Sequence, residues 1–267
     1  MTPEWADKMG GSVMKIKLLG SSVDNPNGPQ FTASYVIEEH LAIDAGCIGF
    51  VSCLDKQRKI EHVFLSHAHL DHVASLPIFL DNVFQLGEAC PTVYGSDAVR
   101  ESLLRDIFND RVWPDLIRLS YEESPFLRFV GLQPQQSVTI GSLSVTPVLL
   151  NHVLPTFGFV VEDDQSAVAF ISDTSSTDAI WQVAASKPHL KAVFLEAAFP
   201  NGMRWLADKA RHLTPELFAQ EYAKLGRELP VIAVHIKPAF QDQVIRELES
   251  LGLPELIIGK PNEEFEW

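Results

Sequence analysis

Short apolar runs separated by polar turns dominate the first part of the chain. Residues 15–19 read as a short strand leading into a loop over 20–30 that is rich in Gly, Asn and Pro. Residues 34–38 and 41–44 form the arms of a hairpin closed by Asp44-Ala45-Gly46, and 62–65 reads as a buried strand. Apolar positions at helical spacing then cover 70–84. An amphipathic helix over 96–108 ends in a polar turn and Trp113-Pro114. Strand patterns recur at 126–130, 137–140, 142–150, 158–161 and 167–171. A helix over 174–186, a strand at 192–195, a helix over 214–224 opened by Thr-Pro, a strand at 231–236 and a helix over 241–251 complete the series.

Hairpin-rich β structure with inserted helices therefore occurs twice. Two sheets packed face to face with helices outside satisfy that order in one domain over 1–267, with 1–13 as a loose N-terminal extension. A doubly wound sheet would alternate strand and helix more regularly, and no Gly-rich dinucleotide turn occurs.

Composition restricts the partners more than the fold. The chain has 267 residues, 46% of them hydrophobic, enough apolar material for a large core. Its net charge of −14 and pI near 5.0 argue against nucleic acid or an anionic membrane as partner, because both need a basic face. A small anionic substrate remains open, since a metal pair makes one cleft locally positive. Cys47, Cys53 and Cys90 are odd in number and lack C-x-x-C spacing, which favours a reducing compartment over a disulfide framework. Residues 1–11 do not read as a secretory signal and no apolar run is long enough to span a bilayer, so the cytoplasm is expected. A homodimer is the base-rate expectation.

The strongest chemical signal is His67-Ala68-His69-Leu70-Asp71-His72, directly after the apolar strand that includes Val63-Phe64-Leu65. Imidazole and carboxylate are the usual ligands of zinc and similar divalent ions. On an extended or turning backbone, positions i and i+2 point the same way. His67 and His69 can hold one ion while Asp71 and His72, one turn on, reach a second. A surface loop that merely contains histidines is improbable with four ligand-type side chains in six positions.

This stretch matches the H-x-H-x-D-H signature of the metallo-β-lactamase superfamily, which the chain resembles over nearly its whole length. The resemblance implies an α/β fold, a four-layer αββα sandwich of two mixed sheets. It also implies further ligands at later strand ends: His152 after the 145–150 strand, a bridging Asp173 after 167–171, and His235 after 231–234. One ion is then held by His67, His69 and His152, the other by Asp71, His72 and His235, with Asp173 between them. Zinc is the first expectation, with manganese or iron also compatible with such mixed donors. His40, His62 and His189 have no such context and read as ordinary polar residues.

Two cations a few ångströms apart lower the pKa of water and neutralise charge building on a phosphoryl or carbonyl oxygen. Water attack also needs an acid for the leaving group. His212, in His212-Leu213-Thr214-Pro215 at a helix edge, is the candidate, with Glu196 as the carboxylate that keeps it protonated. A Glu paired with a later His is similar to the phosphodiesterase branch of the superfamily, ribonuclease Z included. Thr214 is expected to cap the helix that follows and is a candidate substrate contact.

Within that branch, three stretches resemble the class II cyclic-nucleotide phosphodiesterases. They are residues 67–76, residues 107–114 with their Trp113-Pro114, and His235-Ile236-Lys237-Pro238. Pro77 departs from the aliphatic residue expected after the first stretch. The resemblance implies hydrolysis of a 3′,5′-cyclic nucleotide, cyclic AMP or cyclic GMP, to the 5′-monophosphate. Asp71 would orient or deprotonate the attacking water, and Lys237 would face a phosphate oxygen. Phe108 and Trp113 read as core before they read as a base pocket. A ribonuclease Z-like or other small phosphodiester hydrolase is the alternative. Two remoter readings are a non-catalytic metal-binding scaffold, which the complete ligand set disfavours, and diiron redox use, for which no flavin domain is attached.

Overall fold

The structure is a computed structural model, and it describes residues 13–21, 28–51, 53–87 and 89–267. Most of the expected N-terminal extension and the middle of the 20–30 loop lie outside the described residues.

Fourteen strands follow one another along the described chain. They are β1 (Lys15–Leu18), β2 (Tyr35–Ile37), β3 (Leu41–Ile43), β4 (His62–Phe64), β5 (Thr92–Gly95), β6 (Arg128–Gly131) and β7 (Val138–Ile140). The rest are β8 (Leu143–Leu150), β9 (Thr156–Glu162), β10 (Ala167–Ile171), β11 (Leu190–Glu196), β12 (Val231–Val234), β13 (Leu256–Ile258) and β14 (Glu264–Glu266). They form two seven-stranded mixed sheets, ordered β14-β1-β2-β3-β4-β5-β6 and β13-β12-β11-β10-β9-β8-β7. The helices are α1 (Leu54–Arg58), α2 (Leu70–Val73), α3 (Leu76–Val83), α4 (Asp97–Ser102), α5 (Leu116–Glu122), α6 (Ala179–Ala185), α7 (Arg204–Ala210), α8 (Pro215–Ala223) and α9 (Gln241–Glu249).

Three apolar layers explain the order. Between the sheets, Ile16, Tyr35 and Phe64 meet Phe159, Phe170 and Phe194. Phe170 and Phe194 stack at 5.0 Å, and Tyr35 packs edge-on against both. The outer face of the second sheet is covered by α6, α8 and α9 through Trp181, Phe218 and Leu248. That of the first is covered by α2, α3 and α4 through Val73, Phe79 and Val99. Strands buried on both faces lose their alternation and read as continuous apolar runs, as in Ala167-Val168-Ala169-Phe170-Ile171. The result is the expected four-layer αββα sandwich.

Three expectations change. The helical pattern over 70–84 breaks at Ala74-Ser75 into α2 and α3. The pattern over 96–108 is α4 followed by a π-helical turn at Leu103–Ile107. Residues 174–178 are not helical: Thr174 N–H donates to Glu196, and Thr177 N–H to Glu221, a buried carboxylate that also accepts from the Trp181 indole. Those long-range bonds outweigh local helix propensity there. Phe108 is buried in the outer core with Trp113 packed against it, in keeping with their reading as core. No helix among the described residues is long and apolar enough to cross a membrane.

Phe194 joins both sheets at the centre of the inner layer. Phe194→Ala should lower the unfolding free energy by about 3–5 kcal/mol, read as a shift in the urea midpoint with an unchanged slope.

Candidate metal centre

Parallel pairing of β3 with β4 and of β10 with β11 and β12 brings several strand C-termini to one edge in each sheet. Asp44 follows β3, His67 follows β4, Asp173 follows β10, Glu196 ends β11 and His235 follows β12. Strand β8 reaches this edge too, because it is antiparallel to β9, which is antiparallel to β10. It delivers His152.

Two groups of side chains converge there, with a third, Asp173, His212 and His235, overlapping both. Ligand atoms of His67, His69, His152 and Asp173 lie within 4.8 Å of one another, as do those of Asp71, His72 and His235. In the first group His67 Nε2 and His152 Nε2 stand 3.0 and 3.3 Å from His69 Nδ1. Donors 2.0–2.1 Å from a tetrahedral zinc ion lie roughly 3.3 Å apart, so these spacings fit one.

Asp173 faces both groups. Its Oδ2 is 3.6 Å from His67 and 3.9 Å from His152, while Oδ1 is 3.4 Å from His72 and 3.3 Å from His235. Asp173 Oδ1 and His72 Nε2 are buried without a hydrogen-bond partner, which is costly unless a cation completes them. A cation already touches the second group: Lys237 Nζ lies 3.1 Å from Asp71 Oδ2 and 3.1 Å from His235 Nε2. The donor set therefore fits two divalent ions.

Burial holds most of these imidazoles neutral, the form in which they ligate. It lowers His67 well below its ordinary value, lowers His69, and brings His152 to about 4 and His235 to about 3. Burial opposes the charged form of His72 as well, but Asp173 and Asp44 raise it well above the usual range. Burial would raise Asp173 and Asp71. The surrounding imidazoles prevail and lower both, Asp173 strongly, with Lys237 contributing at Asp71.

Behind the ligands stands a group of residues to which no sequence motif points. Asp44 Oδ2 accepts from His72 Nδ1 at 2.6 Å and from the Ser66 hydroxyl at 2.9 Å, and Asp44 Oδ1 accepts from Ser66 N–H at 2.8 Å. Ser66 Oγ, its proton committed to Asp44, accepts from His67 Nδ1 at 2.9 Å and from Ser172 Oγ at 3.1 Å. One carboxylate thus fixes the tautomer of a ligand in each group, directly for His72 and through a hydroxyl for His67. In the sequence Asp44 reads only as part of a turn. Its left-handed backbone, φ +60°, would have been the signal, but it is a property of the structure. Gly46 serves the same corner, since a Cβ there would meet the Asp71 carbonyl at 2.2 Å.

His212 is brought to the centre with its expected partner. Its Nδ1 donates to Glu196 Oε1 at 2.8 Å, and its Nε2 lies 3.9 Å from Asp173 Oδ2. Burial opposes the imidazolium, but the Glu196 carboxylate raises the pKa of His212 above its ordinary value. Glu196 is itself locked by Thr174 N–H and Leu213 N–H. Thr214 departs from expectation. Its side chain is fully buried, offers no surface to a substrate, and makes no capping bond. Pro215 has no N–H to cap, and the next donor, Glu216 N–H, goes to Asn201 Oδ1 instead. His40, His62 and His189 belong to neither ligand group.

An open cleft adjoins the second group, and its lining includes His235, Lys237, Gln30, Phe31 and Thr32.

Residues 51–236 match the Beta-lactamase superfamily domain. A probable 3′,5′-cyclic-nucleotide phosphodiesterase of Yersinia pestis is 29% identical over 219 residues, 72% of this chain and 62% of that protein. A ribonuclease Z of Limosilactobacillus fermentum is 29% identical over 161 residues, 56% of this chain and 49% of that one. The chain thus spans about three fifths or less of the length of these curated relatives. Unliganded yeast PDE1 shares the fold with a TM-score of 0.77 at 19% identity, over 95% of this chain and 99% of that one. By the match over 51–236, on which both ligand groups lie, the chain belongs to the beta-lactamase superfamily.

Proposed function

We propose that the chain is a dinuclear-metal phosphodiesterase that hydrolyses 3′,5′-cyclic nucleotides to 5′-monophosphates in the cytoplasm. The observation that carries this reading is the Glu196–His212 pair set against Asp173, where the two ligand groups meet. It supplies a proton donor beside the place where two cations fit. The phosphodiesterase relative supports the substrate class, and the open cleft beside Lys237 gives such a ligand a way in. The ribonuclease relative supports the same chemistry, but a chain of net charge −14 suits a small anion better than a polyanion.

In this reading His67, His69, His152 and Asp173 hold one ion, and Asp71, His72, His235 and Asp173 hold the other. Zinc suits the donors, and manganese or iron can substitute. When bound, the pair supplies a lowered pKa for water and neutralises charge on the phosphoryl group.

The chain's own residues do the rest. Asp71 orients the attacking water. Lys237 turns its ammonium from Asp71 and His235 to a phosphate oxygen. His212, with Nδ1–H committed to Glu196, presents Nε2–H to the departing 3′-oxygen and protonates it. Glu196 keeps the imidazole charged and in that orientation.

A turnover assay of the metal-loaded protein should find cyclic AMP or cyclic GMP hydrolysed to the 5′-monophosphate. Activity on bis(p-nitrophenyl) phosphate or a tRNA precursor, with neither 3′,5′-cyclic nucleotide cleaved, rejects the substrate assignment.

His212→Ala should retain both metals by elemental analysis and lose roughly 10²–10⁴-fold in kcat. Loss of metal from that variant would make His212 a ligand. Because the acid works in its protonated form, activity should fall as pH rises through its raised pKa. Glu196→Gln removes the charge that raises it, so the alkaline limb of the rate profile should move to lower pH; an unmoved limb contradicts the pairing.

Asp173→Ala should empty at least one metal position, because Asp173 faces both ligand groups. Full occupancy measured by elemental analysis would remove it from the bridging role.

A further inference from the structure

Helix α7 ends on Arg211, whose backbone is left-handed with φ +54°. That position usually falls to Gly, because a Cβ strains the conformation. The N–H groups of Arg211 and His212 both go to the Ala207 carbonyl, so the turn is tight. Nothing in this stop calls for Arg on backbone grounds, and strain retained beside a site is a reason to ask what the side chain does.

The side chain holds His152. Arg211 Nη1 donates to the His152 carbonyl at 2.7 Å and to Asn151 Oδ1 at 3.3 Å. In return, the Arg211 carbonyl accepts from His152 Nδ1 at 3.0 Å. One residue therefore grips the ligand-bearing segment at two points, with a main-chain acceptor and a side-chain donor. The residue after it is His212, whose ring centroid lies 5.1 Å from that of His152.

We infer that Arg211 is a positioning residue that sets His212, the proton donor, against the ligand group containing His152. The inference rests on His212 acting as the acid in the reaction proposed above. Glu196 fixes the far side of the His212 ring, at Nδ1. Arg211 fixes the main chain from which that ring projects, and so the reach of Nε2 toward a departing oxygen. The bond that sets the His152 tautomer uses the carbonyl of residue 211, which any amino acid supplies. Removing the guanidinium therefore keeps the bond that sets the His152 tautomer and breaks the side-chain link between the His152 segment and the main chain that carries the acid.

The test varies the leaving group. A poor leaving group needs the acid, whereas p-nitrophenolate departs without one. Metal-loaded wild type, Arg211→Gly, Arg211→Lys and His212→Ala are compared on diphenyl phosphate and bis(p-nitrophenyl) phosphate, with metal content measured on each. Gly accepts the left-handed backbone, so Arg211→Gly should fold, and Arg211→Asn tolerates it as a second truncation. Both truncations are expected to keep two metals and to lose roughly tenfold in kcat on diphenyl phosphate, with KM unchanged. The loss on the p-nitrophenyl ester should be about twofold or less, and Lys should restore part of the rate. Equal losses on both esters, a change confined to KM, or loss of metal overturns the inference. If His212→Ala shows no leaving-group dependence, the acid assignment itself has failed. If it does and the Arg211 truncations do not, only the role of Arg211 falls.

Discussion

The carboxylate of Asp173 is the constraint around which the rest is arranged. It is 2% exposed and meets five imidazoles: His67 and His152 on one oxygen with His212, and His72 and His235 on the other. An ionised carboxylate so deep in the protein is tolerated only with compensating positive charge. Four of these imidazoles are ligand candidates and three of those are kept neutral by burial. The compensation must come from His72, His212 and whatever cation sits between. A buried anion surrounded mainly by neutral nitrogen donors is a site built to be finished by metal.

The sandwich makes that arrangement possible by ending strands of both sheets at the same edge. Buried strands and their outer helices fix the backbone up to the last apolar residue. The polar residue that follows is then released over the edge. Two of these residues, Asp44 and His235, take left-handed backbone, with φ of +60° and +56°. The strain is held because each side chain is bonded from outside its own strand: Asp44 by Ser66 and His72, His235 by Lys237. Rigid strands thus carry the strained corners, and precision at the site is borrowed from the core.

How much of this could be read from the chain follows from how local each signal is. The six-residue cluster at 67–72 is self-contained, whereas His152, Asp173 and His235 follow apolar strands and were singled out there by the resemblance to the superfamily. The strands β5, β13 and β14 were not expected: β13 is a three-residue apolar run without alternation, and β14 is one buried residue, Phe265, between two glutamates. Ser66 and Arg211 carried no signal because their work lies in bonds to residues distant in the chain. Ser66 joins ligands of both groups through Asp44, and Arg211 reaches back to His152. The loop over 174–178 misled for the same reason: its helical pattern is genuine, but buried Glu196 and Glu221 hold its N–H groups.

His72 differs from the other ligand candidates in a way that bears on how the site fills. Asp44 commits its Nδ1 proton, while Asp173 favours a second proton on Nε2, the atom directed at the second group. Burial disfavours the charged form of the remaining imidazoles of the two groups, and the Nδ1 bonds of His67 to Ser66 and of His152 to the Arg211 carbonyl turn their Nε2 atoms inward as acceptors. A cation between Asp71, His72 and His235 would have to displace the Lys237 ammonium, which lies 3.1 Å from both Asp71 Oδ2 and His235 Nε2. Filling the second position therefore means displacing a side-chain cation, and the carboxylate of Asp173, which faces both groups, links that exchange to the first position.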